Sequence, residues 1–340
     1  MTSRMLDEAR EAPDAVARLL GADGELYARL GDDLRTNAPQ AVLTIARGSS
    51  DHAAHYMAYL VMARLGRLVT SLPMSVVTLY QSRLQCDGLL SLAFSQSGQS
   101  HDLILPTRFF RAGGARTVAF VNDRTSPLAE AAQWVFDLRA GVETSVAATK
   151  SYIAQLVAGA RLVAAWQNDS ELQRALLALP DALRSALLQD WQRGVDALIG
   201  ADRLFVISRG LGLPVAMEAA LKLKEICGIQ AEAFSGAELR HGPMALVDEG
   251  YPLLIFALRG PAQSGLLALA NDMRRRGAHV LLIAPSETPR RDLPLSANDA
   301  EELDPIIAIQ SFYVMVEALA RARGRDPDAP RHLAKITVTR

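Results

Sequence analysis

This chain repeats itself, and the repeat limits its fold more than any other feature. Val42 to Ile45 runs into the turn Arg47-Gly48-Ser49-Ser50, and Leu204 to Ile207 runs into Arg209-Gly210-Leu211-Gly212, with Gly48 and Gly210 at an offset of 162 positions. At that offset Phe94 falls on Phe256 and Gly98 on Gly260, each at the end of an apolar strand pattern. One position out of phase, Gly114-Ala115 before Thr117-Val118-Ala119 matches Gly277-Ala278 before Val280-Leu281-Leu282. Strand, glycine turn and helix recurring at three successive points mark a duplicated unit. Strands alternating with helices at these spacings predict an α/β fold of two tandem doubly wound parallel sheets, flavodoxin-like, each enclosed by helices. The expected layout is an N-terminal helical segment over 1–34, a first domain over 35–169, a helical linker over 170–199, a second domain over 200–325 and a C-terminal tail over 326–340.

Composition narrows the function classes. Half of the 340 residues are apolar, enough for two real cores. Acidic Asp7, Glu8 and Glu11 stand where a secretory peptide needs a basic start, and no apolar stretch reads as long enough to span a bilayer, so a cytoplasmic protein with no membrane partner is expected. Cys86 and Cys227 lie far apart, without a second Cys or a His at ligand spacing, and no disulfide, metal or other cofactor is expected. A formal net charge of -1, with Lys and Arg spread along the chain, leaves no footprint for nucleic acid. Any anion has to be bound locally.

The first half offers a place for one. After Leu89 to Phe94 comes Ser95-Gln96-Ser97-Gly98-Gln99-Ser100, then a helical pattern from His101. Such a turn presents hydroxyls and backbone N–H groups at a helix N-terminus, where the dipole favours a phosphate dianion. A few charge-assisted hydrogen bonds, each about 1.5–3 kcal/mol, suffice without a lysine. Simple N-capping needs one hydroxyl, whereas Ser95, Ser97 and Ser100 supply three. The equivalent turn of the second half, Ala257-Leu258-Arg259-Gly260, has no serine. Ser49 and Ser50 are expected at the same crevice, outside the carboxyl ends of the strands, while Asp51, His52 and His55 are expected to cap or pack their helix.

The second half offers acid–base groups. Pro214 opens a helix through Glu218, Lys222 and Glu225, which at spacings of four and three share one face. A solvated salt-bridge ladder has the same spacing, but Ala216, Met217, Ala219, Ala220, Leu221, Leu223 and Ile226 fill the other faces. Ionisable groups on a buried helix need a reason, and a partly buried carboxylate suits proton transfer between adjacent sugar carbons. His241 stands just before Gly242-Pro243, and its composition alone does not lift it above an exposed loop histidine.

Ser95-Gln96-Ser97-Gly98, Val146-Ala147-Ala148-Thr149-Lys150, the run Glu218 to Glu225, Ala231 to Pro243 and Pro330-Arg331-His332-Leu333-Ala334-Lys335 together resemble the sugar isomerase (SIS) domain proteins. Within that family the resemblance is to the isomerase half of glucosamine-6-phosphate synthase and its free-standing relatives, and it covers nearly the whole chain. It implies that Ser95, Gln96, Ser97 and Ser100 bind phosphate with Ser49 and Ser50 nearby, and that the backbone at Val146 and Ala334 touches sugar hydroxyls. It further implies that Glu225 shuttles a proton between C1 and C2 with help from Lys222. His241 is implied to open the pyranose ring from the other subunit of a homodimer, and Lys335 to engage the open-chain carbonyl.

The departures bear on substrate. The synthase carries an additional N-terminal glutamine-hydrolysing domain, whereas this chain enters its first sugar domain within about forty residues, too few for one. Arg47 replaces a cysteine, Ala148 a serine and His332 an asparagine, and Arg47 to His52 looks like the free-standing deaminases. The expectation is a glucosamine-6-phosphate deaminase yielding fructose 6-phosphate and ammonia. The alternatives are a synthase-like isomerase without glutaminase, an enzyme for galactosamine 6-phosphate or fructosamine 6-phosphate, and a non-catalytic sugar-phosphate sensor.

Overall fold

The structure, a computed structural model, describes residues 2–335; positions 336–340 of the expected tail lie outside the described residues. The chain forms two units. Among the described residues the first takes Asp14–Glu143, Lys150–Leu177 and 334–335, and the second takes 2–13, Thr144–Thr149 and Ala178–Leu333.

The chain opens with helices α1 (Arg4–Arg10), α2 (Ala12–Leu20) and α3 (Gly24–Thr36), followed by β1 (Ala41–Ile45), α4 (Gly48–Leu65), β2 (Val69–Ser71) and α5 (Ser75–Thr78). Next come β3 (Leu89–Ser95), α6 (His101–Ala112), β4 (Arg116–Val121), α7 (Pro127–Ala131), β5 (Trp134–Asp137), α8 (Lys150–Gln167) and α9 (Ser170–Leu177). The strands form one parallel sheet of order β2-β1-β3-β4-β5. Helices on both faces leave the central strands with almost no exposed residue, which is why Leu90 to Ser95 reads as an unbroken buried run. Phe94, Phe120 and Phe136 stack across β3, β4 and β5 at centroid distances of 4.5 and 5.4 Å.

The second unit repeats the plan. α10 (Leu179–Leu187) and α11 (Gln192–Leu198) lead to β6 (Arg203–Ser208), α12 (Leu213–Lys222), β7 (Gln230–Ser235), β8 (Pro252–Phe256), α13 (Gln263–Arg275), β9 (His279–Pro285), β10 (Leu293–Leu295) and α14 (Asp304–Ala322). Its sheet is parallel throughout, in the order β7-β6-β8-β9-β10. Numbered within each unit, both sheets follow 2-1-3-4-5. The repeat extends to backbone conformation: Gly48 and Gly210, Gly98 and Gly260, and Gly114 and Gly277 all take positive φ.

The helical stretch 170–199 is divided between the units, with α9 packed on α8 and α10 and α11 packed on α14. One expectation needs correction. The segment Glu301–Ala322 is long and apolar enough to cross a bilayer, but it is a core helix, with 89% of its most apolar window buried.

Candidate active site

In the first unit the strand order reverses between β1 and β3, and the turns leaving these two strands carry the serines. In doubly wound sheets this switch point is where a crevice opens. In the turn after β3, Ser95 Oγ accepts the Gly98 N–H at 3.0 Å and Ser97 Oγ accepts the Gln99 N–H at 3.3 Å. A hydroxyl that accepts in this way still has its own proton to donate. Ser100 is the N-cap residue of α6, yet its side chain makes no capping bond. Gln96 is half-buried, and its carbonyl accepts the Asn122 N–H at 3.2 Å. Gly98 has φ +64°, and a Cβ there would lie 2.1 Å from Ser126 Oγ, so no other residue fits.

The turn after β1 lies at the same switch point. Ser50 Oγ accepts from Gln155 Nε2 of α8 at 3.0 Å, and Ser49 is half-buried in the first turn of α4. Arg47 pairs with Asp102 of α6 at 3.3 Å, so a cation links the two serine turns. Burial pushes the Asp51 carboxyl up and the His55 imidazole down. His55 packs against Tyr59. On the tail, Ala334 is exposed, and Lys335 Nζ lies 3.4 Å from Glu143 Oε2. That carboxylate, fully buried, also accepts the Ser151 N–H at 3.1 Å and its hydroxyl at 2.5 Å.

In the second unit Pro214 stands in the first turn of α12 as expected, but the helix does not run unbroken to Glu225. It is α-helical to Lys222 and continues as a single π-helical turn, Leu223–Cys227, closed by Gly228 at φ +62°. Across that junction Lys222 Nζ meets Glu218 Oε1 at 3.1 Å and Glu225 Oε2 at 2.7 Å. The three side chains are 1%, 0% and 18% exposed in the order Lys222, Glu218, Glu225, so within the unit only Glu225 reaches the surface. Tyr313 of α14 donates to Glu218 Oε1 at 3.2 Å. Burial alone would depress the Lys222 ammonium, but the two carboxylates outweigh it and hold it above its ordinary value.

His241 is exposed after the 3₁₀ turn Glu238–Arg240 and makes no hydrogen bond to this cluster among the described residues. Val146 lies half-buried on the loop Thr144–Thr149, between buried Ser145 and Ala147. At the turn equivalent to the serine turn, Arg259 is bound to Asp304 at 2.8 and 2.6 Å and to the Asn298 carbonyl at 2.5 Å. An internal ion pair occupies what the first unit leaves lined with hydroxyls. The sequence reading missed Glu143 and Tyr313. Glu143 is three residues before Val146, a nearness that was a usable signal; Tyr313, 95 residues from Glu218, offered none.

The sequence profile of the SIS domain matches residues 37–165 and 197–322. The chain belongs to the SIS domain family. Among curated relatives of this SIS-domain chain, the glutamine--fructose-6-phosphate aminotransferase (isomerizing) of Aeropyrum pernix is 35% identical over 358 residues, covering 98% of this chain and 57% of that protein. The chain therefore spans little more than half the length of the curated relatives it matches. Among solved structures, a Silicibacter pomeroyi protein provisionally named a phosphosugar isomerase is 42% identical, with TM-score 0.91 over 96% of this chain and 100% of that one. The C-terminal domain of glucosamine-fructose-6-phosphate aminotransferase from Francisella tularensis is 25% identical, with TM-score 0.87 over 97% and 99%.

Proposed function

We propose that this SIS-domain chain is an aldose–ketose isomerase of amino-sugar phosphates, acting in the cytoplasm as a glucosamine-6-phosphate deaminase. The observation that carries the reading is the buried Lys222, which holds Glu225 at 2.7 Å at the edge of an otherwise sealed cluster. An ammonium fixed against one partly exposed carboxylate orients a base rather than stabilising a surface. The names of the relatives, all concerned with phosphosugars or their amination, support the substrate class.

In this reading Ser95, Gln96, Ser97 and Ser100 hold the phosphate, with Ser49 and Ser50 beside them. Backbone at Val146 and Ala334 meets the sugar hydroxyls. His241, supplied by the partner in a homodimer, opens the ring, and Lys335 engages the open-chain carbonyl. Glu225 then takes the C2 proton of the open-chain amino sugar and returns it to C1, with Lys222 holding the carboxylate in place. As an amino hydrogen is lost and O1 gains one in exchange, C1 becomes the hydroxymethyl carbon and the double bond that results is an imine at C2. Water adds there and ammonia leaves, so glucosamine 6-phosphate and water become fructose 6-phosphate and ammonia. The resemblance of Arg47 to His52 to free-standing deaminases favours this direction, and the same steps reversed would aminate fructose 6-phosphate.

The test is to incubate the protein with glucosamine 6-phosphate and follow ammonia and fructose 6-phosphate together. Equimolar release is expected. No release above a blank, with fructose 6-phosphate and ammonia also left unchanged, overturns the reading. A parallel reaction with galactosamine 6-phosphate identifies the epimer.

A further inference from the structure

The loop Thr144–Thr149 is held by residues from both ends of the chain. Glu8 of α1, only 6% exposed, accepts the Thr144 N–H at 2.5 Å and its hydroxyl at 3.1 Å, and meets the Ser145 N–H through both oxygens at 3.3 and 3.2 Å. Asp328 accepts the Ser145 hydroxyl at 3.5 Å and the Arg4 and Met5 N–H groups, both at 2.9 Å. Helix α1 is itself fixed to α14. The Ser3 hydroxyl donates to Glu317 Oε1 at 2.6 Å, and Gln310 Nε2 donates to the Ala9 carbonyl at 2.9 Å.

Burial along the loop alternates. Ser145, Ala147 and Thr149 are buried, while Val146 and Ala148 between them are partly exposed. The backbone bends through Ser145, Val146 and Ala147, so a shift of one residue along the loop would carry half-buried Val146 into a place now held by a buried neighbour. A carboxylate that grips two consecutive N–H groups fixes that register at its first residue. Removing it would take that acceptor from both donors, the Thr144 N–H on an exposed residue and the Ser145 N–H in a buried place, and the loop relieves the buried donor by moving.

We infer that Glu8 is a positioning residue for the substrate: through Thr144 and Ser145 it sets the register in which Val146 to Ala148 present their backbone to the sugar. The inference rests on the proposed role of that loop in sugar binding, and it makes the N-terminal helix part of the substrate apparatus. Asp328 plays the matching part from the C-terminal side, tying the same loop to the segment that leads into the tail.

The experiment uses the full chain with Glu8→Ala, Glu8→Gln and Ser3→Ala. It measures amide hydrogen exchange over 144–149, kcat and KM for glucosamine 6-phosphate, inhibition by inorganic phosphate, and the thermal midpoint. Glu8→Ala should speed exchange over the loop and raise KM by about tenfold or more, with kcat altered by less than about threefold and phosphate inhibition unchanged. Glu8→Gln keeps one acceptor oxygen and should fall between; it carries the same comparison if Glu8→Ala does not fold. Ser3→Ala loosens α1 without touching the loop, so it should lower the thermal midpoint and leave KM alone. Unchanged exchange in both Glu8 variants, or an equal rise of KM in Ser3→Ala, or loss of phosphate inhibition along with KM, overturns the inference. If the wild-type chain does not turn over hexosamine phosphate, the proposed function falls, and hydrogen exchange still decides whether Glu8 sets the loop.

Discussion

Lys222, 1% exposed with a carboxylate on either side, sets the charge balance of its cluster, because without its charge two carboxylates, one sealed and one partly exposed, would face each other unpaired. Glu225 reaches the surface from the π-helical turn, whereas Glu218 is sealed and also takes the Tyr313 hydroxyl, and exposure separates a base from a counter-charge. Glu225→Gln keeps the shape and an oxygen for Lys222 but cannot accept a proton. Turnover of glucosamine 6-phosphate should fall by about 10²–10⁴, with inhibition by inorganic phosphate retained. A rate within threefold of wild type would remove Glu225 from the proton transfer. The spacing of Glu218, Lys222 and Glu225 made their meeting legible, because any helix brings such residues together. Their order of burial was not legible, since it depends on Tyr313 and the rest of α14, far away in sequence.

At the scale of elements, the glycine turns were legible because positive φ and close approach leave one residue type possible. Gly98 shows both, with φ +64° and Ser126 Oγ 2.1 Å from where a Cβ would stand. Gly260, its counterpart at φ +109°, would meet mainly the end of the Glu301 side chain, at 3.1 Å and beyond. Both Gly→Ala variants strain the backbone, by about 1–3 kcal/mol each, but only the first displaces the serine turn. Inhibition by inorganic phosphate should weaken by about tenfold or more in Gly98→Ala and stay within twofold in Gly260→Ala, read from competition against glucosamine 6-phosphate. Equal effects would mean that the serine turn does not bind phosphate. The π-helical turn Leu223–Cys227 escaped the sequence reading because its composition continues the apolar helix pattern. Glu8 escaped for another reason: it lies 136 positions from Thr144, and most of its bonds are to backbone N–H groups, which leave no trace in residue type.

The molecule as a whole should lose stability in alkali through a group the chemistry does not use. Cys227 is sealed in the π turn, and burial raises its thiol to about 12 against the pull of Arg323 and Arg325. A thiol raised in the folded state keeps its proton longer there than in the unfolded chain, so its contribution is complete below about pH 9 and is lost as pH climbs toward 12. Denaturant midpoints measured from pH 8 to 11 should fall more steeply for wild type than for Cys227→Ala, and parallel curves would refute the assignment. A second whole-molecule prediction concerns the proposed homodimer. If His241 serves a site whose Glu225 belongs to the partner subunit, mixed dimers of Glu225→Gln and His241→Asn contain one site with both defects and one with neither. Random reassociation makes half the dimers mixed, so activity should recover to about a quarter of wild type from two nearly inactive parents. If both residues serve a site within one chain, every site in every dimer keeps a defect and no recovery is possible. Because the two arrangements differ by the presence of an intact site, the mixing experiment separates them without a structure of the complex.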